Sequence, residues 1–351
     1  MDDKAEVVVI TGATAGVGRA TVREFAKKGA YIGLLARDPD RLDVTRKEVE
    51  ALGGRAVAIS TDVGHADEIE AAARQVEDAF GPIDIWINNA MVTVFSPIKE
   101  LEADEIRRVT EVTYLGTVHG TLAALRHMLP RNRGMIVQVG SALAYRSIPL
   151  QSAYCAAKHA VLGFTESLRT ELLHDKSRIH VTMVQLPALN TPQFEWVKSR
   201  LPNKPQPVPP IFQPEVAAKA IYWAAHQKRR EVYVGASTME AIVGEKLAPD
   251  LLDHYLAKTG YQSQQTNEKE SPDRPSNLWT PVSGDYAAHG SFDSRAQKRS
   301  WQLWLTMHGS LAFAAIGVLT GMWFLYPRRE KSKGTVLPFI RKRSKASRSV
   351  A

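Results

Sequence analysis

Through its first 240 residues the chain alternates short apolar runs with longer stretches in which apolar residues recur at helical spacing. The runs near 7–11, 31–37, 56–61, 83–88, 135–141, 180–186 and 231–235 predict strands. The stretches near 16–28, 39–52, 66–80, 103–129, 152–174 and 214–226 predict helices. Runs such as Val7-Val-Val-Ile and Ile83-Asp-Ile-Trp-Ile are nearly continuously apolar, as strands buried on both faces must be. The expected fold is therefore α/β, a Rossmann-type doubly wound parallel sheet of about seven strands with helices on both faces. Gly12, Asn88, Ser141 and Pro187 all fall at the carboxyl ends of predicted strands, where ligands bind in such sheets.

The pattern changes past residue 240. Residues 241–260 read as a helical extension, and 261–300 turn polar and rich in Gln, Ser, Asp and Pro, which predicts a linker. Residues 303–326 then contain no Asp, Glu, Lys or Arg, a length sufficient for one hydrophobic helix across a bilayer. Trp301, Trp304, Trp323 and Tyr326 stand near its ends, where amphipathic rings favour a membrane interface.

Charge sharpens this division. Residues 327–351 form a basic tail whose nine Lys or Arg and one Glu give it +8, equal to the formal charge of the whole chain. The remainder is neutral overall, so the basic character belongs to the tail and suits anionic lipid headgroups. The tail lacks the interleaved aromatics of a nucleic-acid surface, with Phe339 its only ring, and no nucleic-acid partner is expected. The expectation is a membrane anchor through 303–326 with the folded part, residues 1–240, in the cytosol, as the absence of an N-terminal signal peptide favours. The positive-inside rule pulls the other way by favouring a cytosolic tail. Cys155 is the single cysteine and excludes an intramolecular disulfide, and no His and Cys cluster has metal-site spacing.

Two motifs carry chemistry. Tyr154 and Lys158 stand four residues apart on one face of a predicted helix, so the ammonium can lie near the phenol and favour its ionised form. A phenol with an ordinary pKa near 10 then becomes a usable proton donor and acceptor closer to neutral pH. Ser141 lies thirteen residues upstream at the end of a strand. At the other end of the domain, Val7-Val-Val-Ile-Thr11-Gly12-Ala-Thr14-Ala15-Gly16-Val17-Gly18 runs from strand through a glycine-rich turn into a helix. That arrangement brings backbone amides and a helix N-terminus to a pyrophosphate.

With these motifs in order and at these intervals, residues 1–240 closely resemble the short-chain dehydrogenase/reductase family. The resemblance implies that Thr11, Gly12, Thr14, Ala15, Gly16, Val17 and Gly18 form the cofactor loop and that Asp62 and Val63 meet the adenine. It implies that Asn88, Asn89 and Ala90 brace the sheet beside the cofactor, and that Pro187 and Thr191 reach the nicotinamide carboxamide. It assigns the substrate oxygen to Ser141 and proton exchange to Tyr154. Lys158 would lower the tyrosine pKa and bind the nicotinamide ribose. The chain departs from the family pattern at three places: Met91 follows Asn89-Ala90 where glycine is usual, Ala188 follows Pro187, and Thr113 replaces the asparagine that helps hold a water in the proton relay, a catalytic role its hydroxyl could still fill.

After the second strand an acidic residue for the ribose 2′-hydroxyl is missing. Ala36 and Arg37 stand there instead, with Asp38 next, and a guanidinium suited to a 2′-phosphate favours NADP(H) over NAD(H). Phe95, Phe194 and Trp196 are candidates for a pocket accepting a lipophilic carbonyl or alcohol as the small-molecule substrate. The resemblance also implies a homo-oligomer through the helices near 103–129 and 152–174. The alternative to an enzyme is an NADP(H)-binding membrane scaffold or sensor impaired at Thr113.

Overall fold

The computed structural model describes residues 5–309. Its centre is a seven-stranded parallel sheet, in spatial order β10 (Glu231–Tyr233), β7 (Ile179–Gln185), β6 (Gly134–Val139), β4 (Ile85–Asn88), β1 (Val7–Thr11), β2 (Tyr31–Ala36) and β3 (Arg55–Ser60). The alternation of β1 (Val7–Thr11), α1 (Gly16–Ala26), β2 (Tyr31–Ala36), α2 (Pro39–Ala51), β3 (Arg55–Ser60), α3 (Ala66–Phe80) and β4 (Ile85–Asn88) builds one half. A short β5 (Val94–Phe95), α4 (Ala103–Val109) and α5 (Gly116–Met128) lead to the other half. It comprises β6 (Gly134–Val139), α6 (Ser152–His174), β7 (Ile179–Gln185), α7 (Gln193–Trp196), β8 (Lys198–Ser199), β9 (Asn203–Pro205), α8 (Pro214–Ala225) and β10 (Glu231–Tyr233). Apolar side chains from the two faces of the sheet form separate clusters. One sits between the sheet and α1 and α8, and the other between the sheet and α3, α5 and α6. Each buried Val, Leu or Ile contributes about 1.5–3 kcal/mol, which is why the continuous apolar runs become the central strands. At the edge, β3 has exposed ends, and its sequence is correspondingly mixed.

Local signals set several boundaries. The Asp38 side chain accepts from the Arg41 amide at 3.1 Å and Pro39 occupies the first turn, so the residue after Arg37 caps α2. The stretch expected as one helix over 103–129 is instead two helices separated by a π turn at Thr110–Leu115. Within that turn Thr113 is fully buried. Its Oγ1 donates to the Val92 carbonyl at 2.8 Å and accepts from the Val92 amide at 3.1 Å, which ties the turn to the loop after β4.

Residues 261–300 are not a linker. After α9 (Ala236–Leu247) and α10 (Pro249–Ser263), β11 (Gln265–Lys269) pairs antiparallel with β9. Leu278 and Ala288 are fully buried and Phe292 nearly so. The whole stretch belongs to one compact unit spanning Met1–Met307. Its sequence is polar because it is held largely through backbone carbonyls and a few isolated apolar anchors. The run 303–326 also starts differently from the expectation. Leu303, in α11 (Trp301–Met307), is buried in the cluster beneath α1 and α8, and Met307 packs against it. The rest of that run and the basic tail lie outside the described residues. Among the described residues no helix is long and apolar enough to cross a membrane.

Candidate active site

One cavity of about 530 Å³ opens at the carboxyl ends of the strands. The glycine loop forms its floor, where Gly12, Thr14, Ala15, Gly16 and Val17 line it. Gly16 has φ 55°, and a β-carbon on Gly18 would collide with the Gly12 carbonyl, so both positions require glycine. The N-cap of α1, Ala15, offers no side-chain cap; the Gly16 amide donates to the Ala287 carbonyl at 3.0 Å, and the Val17 and Gly18 amides at this helix end are the ones left for an anion. A cradle of this kind fits a dinucleotide pyrophosphate.

Thr11 and Gly18 do not line the cavity; they brace it. The Thr11 hydroxyl accepts from the amides of Asn89 and Ala90 at 2.9 and 3.1 Å, and Asn89 Nδ2 donates back to the Thr11 carbonyl at 3.0 Å. Asn88 is buried between Trp86 Nε1, Thr121 and Gln138, so it knits β4 to β6 and α5. Asn89 and Ala90 themselves line the cavity, as do Asp62, Val63, Pro187 and Thr191, the last lying beside Gly16. Burial alone would raise the Asp62 pKa. The Arg108 guanidinium and the Gly64 amide overrule it and hold the carboxyl below its ordinary value.

Ser141, Tyr154 and Lys158 converge on the same cavity. Ser141 is fixed from behind: its amide donates to Gln185 Oε1 at 2.9 Å and its Oγ accepts from the Leu143 amide at 3.1 Å. Gln185 in turn donates to Glu231, which also accepts from the Tyr145 hydroxyl. Desolvation pushes the Tyr154 phenol well above its ordinary value, and its hydrogen bond with Ser141 opposes that shift. The Lys158 ammonium donates to the Val139 carbonyl at 2.7 Å and sits 5.6 Å from the Tyr154 ring centroid. Burial lowers its pKa to about 8. Contrary to the expected role of Lys158 in lowering the tyrosine pKa, burial dominates both groups in this arrangement and the ammonium is turned toward Val139.

Thr113 is not brought to the site. Its hydroxyl already donates to and accepts from Val92, so the lone water-holding role expected of it has no free donor. Arg37 does reach the cavity, but its guanidinium also donates to the carbonyls of Trp279 at 3.0 Å and Asn277 at 2.7 Å. Asp38 also lines the cavity, with its carboxylate capping α2 and paired with Arg41 at 3.3 Å. Phe194 and Trp196 line the cavity, whereas Phe95 packs behind them at 6.1 Å from Phe194. Cys155 is buried and burial pushes its thiol up, as suits a packing residue.

Sequence reasoning missed Gln185, Arg41, Asn277 and the Pro207–Pro210 wall of the cavity. Gln185 ends the buried strand Ile179-His-Val-Thr-Met-Val-Gln185, where His180 and Thr182 are polar as well, so nothing in the sequence singles it out. Arg41 sits over the rings of Trp196 and Tyr286 at 5.1 and 5.5 Å, a pairing that spans the chain and leaves no local trace.

A glycine-cradled anion site joined to a serine, tyrosine and lysine on neighbouring strand and helix ends defines a nicotinamide-type oxidoreductase centre. A family model described as short chain dehydrogenase matches residues 6–201. The chain belongs to the short-chain dehydrogenase family. It is similar to an uncharacterized oxidoreductase, YxnA, of Bacillus subtilis, with 31% identity over 89% of this chain and 90% of that one. It is 32% identical to the 3-dehydrosphinganine reductase of Danio rerio over 61% of this chain and 66% of that one. The fatty acyl-CoA reductase of Acinetobacter baylyi is 28% identical over 74% and 85% of the two chains. Among solved structures, a metagenomic short-chain oxidoreductase in complex with NADP superimposes with a TM-score of 0.56 at 27% identity, covering 66% of this chain and 97% of that one.

Proposed function

We propose that the protein is an NADP(H)-dependent oxidoreductase interconverting a carbonyl and an alcohol on a lipophilic substrate. The observation that carries this reading is the convergence of Ser141, Tyr154 and Lys158 on the cavity that also holds the glycine loop. The nicotinamide, when bound, supplies or accepts the hydride. Ser141, positioned through Gln185, holds the substrate oxygen by its hydroxyl. Tyr154 gives its phenolic proton to the developing alkoxide, or takes it back in oxidation. Lys158, buried against Val139, supplies a cation beside the tyrosine and the ribose.

The substrate class follows from the lining. Leu143, Ile148, Val208, Pro209, Ala241 and Tyr255 line the same cavity as Tyr154, interleaved with the uncharged Gln151, Gln206, Ser237 and Thr238. Two relatives are named for reduction of a dehydrosphinganine and a fatty acyl-CoA, which supports a lipid carbonyl. For the cofactor, Arg37 at the end of β2 favours NADP(H), and the NADP-bound structural relative agrees with it. Membrane attachment remains part of this reading. Because Leu303 and Met307 pack on the enzyme, the attachment would fall to the apolar sequence that follows, whose residues 310–326 lie outside the described ones. Homo-oligomerisation through α5 and α6 belongs to the same reading.

The test follows nicotinamide absorbance with the full chain, NADPH or NADH, and a series of long-chain aldehydes and ketones. Turnover with NADPH that falls by about a thousandfold in Tyr154→Phe is the expected outcome, the scale of a lost general acid. Turnover that survives the substitution would refute the mechanism. Arg37→Gln should reduce the preference for NADPH over NADH by about tenfold or more, the cost of one lost charged contact. An unchanged ratio would remove Arg37 from cofactor choice.

A further inference from the structure

Residues 277–287, from within the stretch whose sequence reads as a linker, run along the cofactor half of the cavity. Asn277, Pro281 and Val282 line it. At one end the segment is tied beside the region assigned to the adenosine. Arg37 donates to the carbonyls of Asn277 and Trp279, Arg108 donates to the Leu278 carbonyl at 3.1 Å, and the Leu278 side chain is buried with Val63 and Val112. At the other end it is tied to the glycine loop. The Gly16 amide donates to the Ala287 carbonyl at 3.0 Å, and Asp285 lies 3.6 Å from the Arg19 guanidinium. Tyr286 stacks edge-on against Trp196 at 4.6 Å. Between the two ties the segment is largely exposed on its outer side, and Gly284 turns at φ 99°.

We propose that residues 277–287 are a strap closed along the length of the cofactor cleft, so that a dinucleotide enters or leaves only when the strap lifts. The proposal rests on the nicotinamide-cofactor reading above. Two features make lifting cheaper than unfolding. The ties are a handful of hydrogen bonds and one apolar anchor rather than a continuous core, and segments held in this way open at low local cost. The tie at Ala287 is also made by an alanine at φ 50°, a left-handed conformation that alanine adopts reluctantly. The strap differs from a passive wall because it bridges the two ends of the bound molecule: the adenosine side through Arg37 and the pyrophosphate side through Gly16. Releasing either tie should therefore speed exit of the whole cofactor.

The experiment measures NADPH dissociation by stopped-flow displacement with the full chain and with two variants, Tyr286→Ala and Leu278→Ala. Each weakens one end of the strap. The expected result is release faster by about tenfold in each variant, with association changed less, since closing a lid over a ligand acts mainly on residence time. In parallel, amide hydrogen exchange of the wild type is followed with and without NADPH, and exchange within 277–287 should slow when NADPH is bound. Folded variants with unchanged release, or exchange in 277–287 indifferent to NADPH, would overturn the strap while leaving the cofactor reading intact. Should a variant fail to fold, the wild-type exchange measurement decides alone. If neither NADPH nor NADH binds the wild type, the cofactor reading itself is wrong and the strap falls with it.

Discussion

Strand β1 and the segment 277–287 contribute to the same cleft, yet they are held there by opposite parts of the chain. β1 is Val7-Val-Val-Ile-Thr11, buried at all five positions, and it is placed by its side chains. The segment Asn277-Leu-Trp-Thr-Pro-Val-Ser-Gly-Asp-Tyr-Ala287 buries only Leu278 fully and is placed by its carbonyls, which accept from Arg37, Arg108 and Gly16. Hydrophobic patterning reports where side chains go. It is silent about backbone groups captured by a distant arginine, so a polar, proline-containing stretch reads as a linker whether it is solvated or clasped.

Stability measurements can break this comparison or sharpen it. Ile10→Ala, at the centre of the sheet, should cost about 4 kcal/mol and Leu278→Ala about 3 kcal/mol, both within the range for buried aliphatic truncation. Urea unfolding of the two variants checks this. A cost near zero for Leu278→Ala would make the segment an accessory draped on the surface.

Lys158 gives a smaller effect that depends on pH. Its pKa of about 8 in the folded protein lies below the ordinary 10.5, so the unfolded chain binds the proton more tightly between those values. The burial penalty on the charged form is thus fully present below pH 8, and wild-type stability gains as pH rises from 8 toward 10.5. Lys158→Met should be more stable than the wild type by about 2 kcal/mol at pH 7 once the lost Val139 bond is allowed for, with the gap closing above pH 9. Denaturation midpoints of both proteins across that range test the sign. A gap that widened with pH would show that the ammonium is stabilised by its surroundings.

The smallest effect concerns the departure at Thr113. Thr113→Val keeps the shape and removes both bonds to Val92, and should cost about 1–2 kcal/mol. Turnover should survive, because the hydroxyl does not line the cavity. Loss of turnover without loss of stability would return Thr113 to the chemistry.

These contrasts explain what the sequence made legible. The seven strands, their approximate limits and both ends of the helices 66–80 and 152–174 followed from apolar periodicity, because parallel strands and amphipathic helices are built from side-chain burial. Ser141, Tyr154, Lys158 and most of the glycine loop were legible because glycine geometry and i, i+4 spacing are local properties. The break at Thr110–Leu115 was not, since a π turn pinned by one hydroxyl leaves the apolar pattern of 103–129 intact. Gln185, Arg41 and Asn277 escaped for a related reason: each acts through a partner remote in sequence, as when Gln185 fixes the amide of Ser141 from 44 positions away.

The ties of Arg37 also order events during synthesis. Its two carbonyl partners come 240 and 242 residues later in the chain. A growing polypeptide therefore has every strand of the parallel sheet before the groups that complete the clasp at its rim exist. Since domains fold as they are made, the sheet must stay folded with that rim open for the time taken to add the last stretch. Translation itself thus provides an interval in which the cleft is formed but unfastened.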